Sequence, residues 1–235
     1  MWSITTSPVN GRFIVLEGAD GVGKTTQTAL LSSWMESTGV EHVVAREPGG
    51  TPLGEAVRDL ILREMDLHIA PEPELLLILA SRAAFVREVV TPALAAGKVV
   101  LADRFALSTL AYQGYGRGLP LDDVRDGLRI ATGGLEPDLY IILDIPIEES
   151  SARQISSGVK PDRIEREGND FLRSVRQGYL ALGDSESGVR VLNGSGPPEA
   201  VQDRVRKLLI EIFPETFGGS ALYSEAYLRG LFRIT

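Results

Sequence analysis

The run Gly18-Ala19-Asp20-Gly21-Val22-Gly23-Lys24-Thr25 fits the spacing G-x-x-x-x-G-K-[ST]. Its chemistry is phosphate binding. Glycines let the backbone curl until its N–H groups face phosphate oxygens, and the start of a following helix adds a favourable dipole. Lys24 is placed to reach the β- and γ-phosphates of ATP and the Thr25 hydroxyl to ligate Mg²⁺, with Thr26 completing the nucleotide set. The motif alone leaves kinase, ATPase, GTPase and switch protein open. A guanine-reading Asn-Lys-x-Asp segment is absent from the sequence, and 235 residues are few for a motor ATPase. A small phosphotransferase, with a second phosphate site and a closing lid, fits better.

That second site has its own candidates. Arg46-Glu47-Pro48-Gly49-Gly50-Thr51-Pro52-Leu53-Gly54-Glu55 follows one apolar run, His42 to Ala45, and Asp103-Arg104-Phe105 follows another, Val99 to Ala102. In an open parallel sheet, ligands collect outside the carboxyl ends of the strands, so Arg46, Asp103 and Arg104 belong on the rim that carries Lys24. Asp103 is placed to hold Mg²⁺ directly or through water; the competing reading is a helix cap. Asp144, at another strand end, is a second metal candidate with the same alternative. Arg46, Arg104 and Arg82 suit a bidentate clamp on an acceptor phosphate, although Arg82 also has Glu88 as a candidate ion-pair partner.

These residues need elements that bring strand ends together. Phe13 to Leu16, Val99 to Ala102, Leu139 to Leu143 and Val189 to Leu192 read as buried strands, and His42 to Ala45 as a further strand candidate. Helical patterns separate them: one from the phosphate loop to Gly39, then Pro52 to Arg63 and Glu72 to Ala96 with a kink at Pro92. Four more lie near Asp122 to Ala131, Glu148 to Ile155, Asp170 to Leu182 and Pro198 to Ile212. The alternation predicts an α/β fold, a five-stranded parallel sheet with helices on both faces. Residues 1–11 read as a tail, 12–213 as the domain with a lid at about 150–168, and 214–235 as a C-terminal extension, either a docked helix or an ordered tail.

Composition narrows the partners. Lys and Arg number 24 against 32 Asp and Glu, a net charge of −8, which argues against a nucleic-acid polymer or an anionic membrane. Cysteine is absent and His42 and His68 are the two histidines, which excludes disulfides, thiol catalysis and Cys-bound zinc and disfavours a His-based metal site. The start shows no signal-peptide pattern. The longest apolar stretch, around Leu75 to Ala80, is far short of the ~20 residues of a bilayer span. The expected location is the cytoplasm.

Together these segments resemble the thymidylate kinase family of P-loop nucleoside monophosphate kinases. The resemblance rests on Phe13 to Gln27, Arg46 to Glu55, Ala80-Ser81-Arg82 running to Leu94, Asp103 to Ser108, Ala111-Tyr112-Gln113-Gly114 and Asp162-Arg163-Ile164-Glu165, and it spans Gly11 to Ile212. It implies a P-loop kinase fold, transfer of a phosphoryl group from Mg-ATP to dTMP, and a homodimer. It also implies that Asp20 meets the deoxyribose 3′-hydroxyl and that Arg46, Arg82 and Arg104 surround the monophosphate and thymine. Tyr112 then lies near the sugar and Gln113 beside the base, with Glu47, Phe105 and Ser108 joining the substrate set. Two departures stand out. Ile78 occupies the place of a thymine-stacking aromatic, so stacking is lost or passes to Phe105 or Phe85. Neither Val22 nor the stretch Ser156 to Pro161 supplies an arginine, which leaves Arg153, Lys160 or Arg163 to stabilise the transferring phosphoryl group. Two alternatives stay open: a kinase for another monophosphate or a deoxynucleoside, and a nucleotide-binding protein whose phosphotransfer has decayed.

Overall fold

Five apolar runs pair in parallel in the order β2-β3-β1-β4-β5. They are β1 (Arg12–Glu17), β2 (His42–Arg46), β3 (Val99–Asp103), β4 (Leu139–Asp144) and β5 (Val189–Asn193). The computed structural model describes residues 11–63, 67–158 and 162–218. Lys160, most of the tail and residues 219–235 of the extension lie outside them.

The sheet alternates between two cores. Along β1, Phe13 and Val15 face one side while Ile14 and Leu16 face the other, the period of two that a strand imposes. All four are fully buried, as a central parallel strand covered by helices requires. On the Phe13 side pack α2 (Pro52–Leu62), α3 (Pro71–Phe85), α6 (Leu121–Thr132) and α8 (Asn169–Ser185). The other side is covered by α1 (Lys24–Ser37) and α9 (Pro198–Ile212). The remaining helical pieces are α4 (Thr91–Ala95), α5 (Ala106–Thr109), α7 (Ile147–Ser157) and α10 (Pro214–Phe217). Packing continues past residue 213, because Phe217 is fully buried and stacks on Trp34 with centroids 5.5 Å apart.

Three elements differ from the pattern read in the sequence. The Glu72 to Ala96 helix yields before Pro92, in a wide π turn over Val86–Val90. Proline has no N–H to give the carbonyl four residues back, and widening the preceding turn accommodates that loss. Between β3 and α6 the chain is helical although no helix was expected there: α5 runs into a second π segment, Leu110–Gly116. This stretch has no side-chain cap and holds Gly114 and Gly116, so its local signal is weak. Finally, α7 runs to Ser157, past the expected helix end at Ile155 and into the stretch read as a lid. Among the described residues, no helix is long and apolar enough to cross a membrane.

Candidate active site

The phosphate loop leaves β1 and enters α1 as the motif requires. Gly23 caps α1 in the left-handed region at φ 100°, and Gly18 sits at φ 133° with its Cα against β4. Lys24 is buried and folds over the loop, donating to the carbonyls of Gly18 (3.0 Å) and Ala19 (2.9 Å). Burial lowers its pKa and the charge of Arg104 adds to that, while Asp103, Asp20 and Glu17 partly offset both. Thr25 Oγ1 donates to Asp103 Oδ2 at 3.2 Å, and Asp103 Oδ1 is buried with no hydrogen-bond partner among the described residues. A hydroxyl beside a carboxylate with a spare oxygen suits Mg²⁺, which takes one or two protein oxygens and completes its shell from phosphates and water. No group of three or more His, Asp or Glu able to hold a metal is found among the described residues. Asp144, the other metal candidate, is engaged by Arg176, which donates to both its oxygens, at 2.7 and 2.8 Å.

Arg104 is the latch between strands. It is a non-glycine residue at φ 77°, and its guanidinium donates to the Gly18 carbonyl, Ser108, Tyr112, Tyr179 and Asp20. Burial raises the pKa of Asp20, but Arg104, Lys24 and the Tyr112 hydroxyl (2.7 Å) outweigh it and bring it to about 2. Below the latch lies Glu17, fully buried, accepting from the Phe105 N–H, the Ser108 N–H and hydroxyl, and the Tyr179 hydroxyl. Burial raises its pKa against the opposing charge of Arg104.

Two cavities meet here. One holds the phosphate loop and Arg46; the other is lined by Arg82, Ser108, Thr109, Tyr112 and Gln113; Asp20, Glu47, Arg58 and Arg104 belong to both. Arg82 is only 2% exposed and pairs not with Glu88 but with Glu47 (2.7 Å), while also donating to Thr109 (2.6 Å) and the Phe105 carbonyl (3.0 Å). Burial pushes the Glu47 carboxyl up to about 7 despite that arginine. Arg46 is half exposed and rests on Glu55 at 3.3 Å, on the phosphate-loop side.

The structure shows where the residues of the two departures lie, except Lys160, which falls outside the described residues. Phe105 and Phe85 are fully buried, edge to face with one another, and neither ring lines the second cavity. The flat wall that an aromatic would offer is replaced by aliphatic side chains, Ile61, Leu62, Ile78 and Ile164. Of the lid cations, Arg153 reaches the phosphate loop, donating to the Val22 carbonyl at 3.2 Å. Arg163 instead turns away to Glu74 and to the Ile61 carbonyl (2.7 Å). Sequence reasoning missed Arg58, which donates to the Pro48 carbonyl at 3.0 Å and lines both cavities. It also missed Glu17, Glu74 and Tyr179. The only sequence signal for Glu17 was its place at the end of the strand feeding the glycine loop.

A parallel sheet with β1 between β3 and β4, a glycine loop at its centre and two cavities joined across it define a P-loop nucleotide phosphotransferase. The family model for thymidylate kinase matches residues 16–205. The chain is 44% identical over 214 residues to a thymidylate kinase of Pelotomaculum thermopropionicum, covering 91% of this chain and 99% of that one. It is 46% identical over 217 residues to one from Desulforudis audaxviator (90% and 96% covered) and 47% over 203 residues to one from Nostoc punctiforme (86% and 96%). The chain belongs to the thymidylate kinase family, whose fold is that of the P-loop kinases.

Proposed function

We propose that this chain transfers the γ-phosphoryl group of Mg-ATP to the 5′-phosphate of dTMP, giving dTDP. The observation that carries the reading is the junction of the two cavities at Asp20, Glu47, Arg58 and Arg104, a cradle for a donor phosphate opening onto a pocket for an acceptor with polar groups opposite an aliphatic wall. Bound Mg²⁺, at Thr25 and Asp103, supplies charge neutralisation on the transferring phosphates. The protein's own part is alignment. Lys24 and the loop amides hold the donor; Arg58, at that junction, and Arg153, on its donor side, add positive charge where negative charge spreads in the transition state. Asp20, held ionised between Arg104 and Tyr112, is an acceptor for a sugar hydroxyl. The acceptor phosphate is already an anion, so no strong base is needed.

A homodimer and a cytoplasmic location go with this reading. Leu53, Leu76 and Ile130 stand 50%, 65% and 77% exposed on α2, α3 and α6, three helices that pack side by side. That apolar face is the seam we assign to a second copy. The lid role of residues 150–168 belongs to the same proposal. A coupled ADP-release assay with ATP, Mg²⁺ and a panel of dTMP, dUMP, dCMP, AMP and GMP tests the function, with dTMP expected to lead. No turnover of any acceptor would sink the enzyme reading, and leadership by another acceptor would sink the assignment of dTMP.

A further inference from the structure

Glu74, on α3, lies beneath the acceptor cavity and is completely buried. Its Oε1 accepts from Gln113 Nε2 (3.0 Å) and Arg117 Nε (3.1 Å), and its Oε2 accepts from Arg117 Nη2 (3.1 Å) and from Arg163. Burial works to raise its pKa, but the hydrogen bonds from Arg117, Arg163 and Gln113 prevail and keep the carboxyl ionised. An ionised carboxylate only accepts hydrogen bonds. The Gln113 side chain therefore has one orientation: its NH₂ group turns to Glu74 and its carbonyl oxygen is left for the cavity that Gln113 lines. Arg82 lines the same cavity, and a guanidinium only donates.

We propose that Glu74 is the positioning residue that sets base selection, by locking the Gln113 amide so that the cavity offers an acceptor alongside the Arg82 donor. That pair complements a pyrimidine whose ring N3 bears a proton beside a 4-carbonyl. It opposes a pyrimidine with a bare N3 beside a 4-amino group, where acceptor would face acceptor and donor would face donor. The inference rests on the phosphotransfer reading above. Glu74 also ties selection to the lid. Arg163 bridges from it to the Ile61 carbonyl, and the next residue, Ile164, forms part of the cavity wall.

The test is Glu74→Gln, which can donate as well as accept and so frees the amide to turn. The dTMP to dCMP ratio of kcat/KM is expected to fall by about 10- to 100-fold, chiefly through loss with dTMP. Equal losses with dTMP, dUMP and dCMP would mean that Glu74 only supports the fold, and would overturn the proposal. If that variant fails to fold, judged by circular dichroism, Gln113→Glu decides. Beside an ionised Glu74 the new carboxyl keeps its proton, donates that O–H as a hydrogen bond to Glu74 and leaves its carbonyl oxygen toward the base. Activity falls with every acceptor, but the ratio stays within about threefold of wild type. Collapse of the ratio would show that the amide nitrogen had faced the base. Calorimetric binding of dTMP and dCMP reads the same ratio without turnover. Absent turnover in the wild type would thus count against the phosphotransfer reading alone.

Discussion

At Lys24 a cation has been taken out of water and given two carbonyl oxygens as partners. It contributes little to folding there, so Lys24→Ala should leave the unfolding midpoint within a few degrees. Turnover should drop about 10³-fold or more, since a charge aimed at the transferring phosphates is gone. Activity within tenfold of wild type would remove the lysine from the phosphate site. Glu47 makes a second prediction. Its carboxyl holds its proton more tightly folded, at about 7, than at the ordinary 4.5, so the folded state binds more protons across that window. Stability should fall as pH rises from about 4.5 to 7 and level off above it. Glu47→Gln should abolish that decline, a difference of up to about 3 kcal/mol in urea titrations at the two ends. A parallel pH profile for both proteins would refute the raised pKa. At this scale Lys24 and Thr25 could be read from motif spacing, and Asp103 from its place at a strand end. Arg58 was not: in sequence it is one more polar residue on a helix, and only the Pro48 carbonyl and the convergence of two cavities draw it into the site.

Each of the five strands was readable to within one residue at each end: the central β1, β3 and β4 are short apolar runs buried on both faces, while the edge strands β2 and β5 are half exposed. The segment from Ala106 to Gly116 was not. It starts uncapped beside the site and continues as a π segment whose register is set by Glu17, Arg82 and Arg104 and not by local propensity. Its wide turn carries Tyr112 and Gln113, two residues on which the acceptor cavity depends. The loop from β1 to α1 allows an element-scale test. A Cβ at Gly18 would lie 2.4 Å from the Leu143 carbonyl of β4, on a backbone already at φ 133°. Gly18→Ala should cost about 2 kcal/mol or more of stability and abolish ATP binding, as read by thermal unfolding and calorimetry. Normal affinity in that variant would mean that the loop and β4 are not in contact.

The chain as a whole carries a net charge of −8, yet Lys24, Arg46, Arg58, Arg104 and Arg153 share one cavity. A local cationic pocket in an acidic body admits small phosphates while repelling polyanions. On α3, Leu76→Glu places a charge at an exposed apolar residue and, on the dimer proposal, should halve the mass seen by light scattering from a dimer to a single chain. A single-chain mass already in the wild type would end the dimer assignment. The order of the sheet also has a consequence in time. Thr25 meets Asp103 across 78 residues of chain, and Arg104 meets Tyr179 across another 75. Contacts so distant in sequence are slow to form. On refolding from denaturant, turnover should return no earlier than the sheet is complete, and a fragment ending before Tyr179 should keep Arg104 but lose one of the five groups it donates to. The reaction is then a clock for the last step of folding.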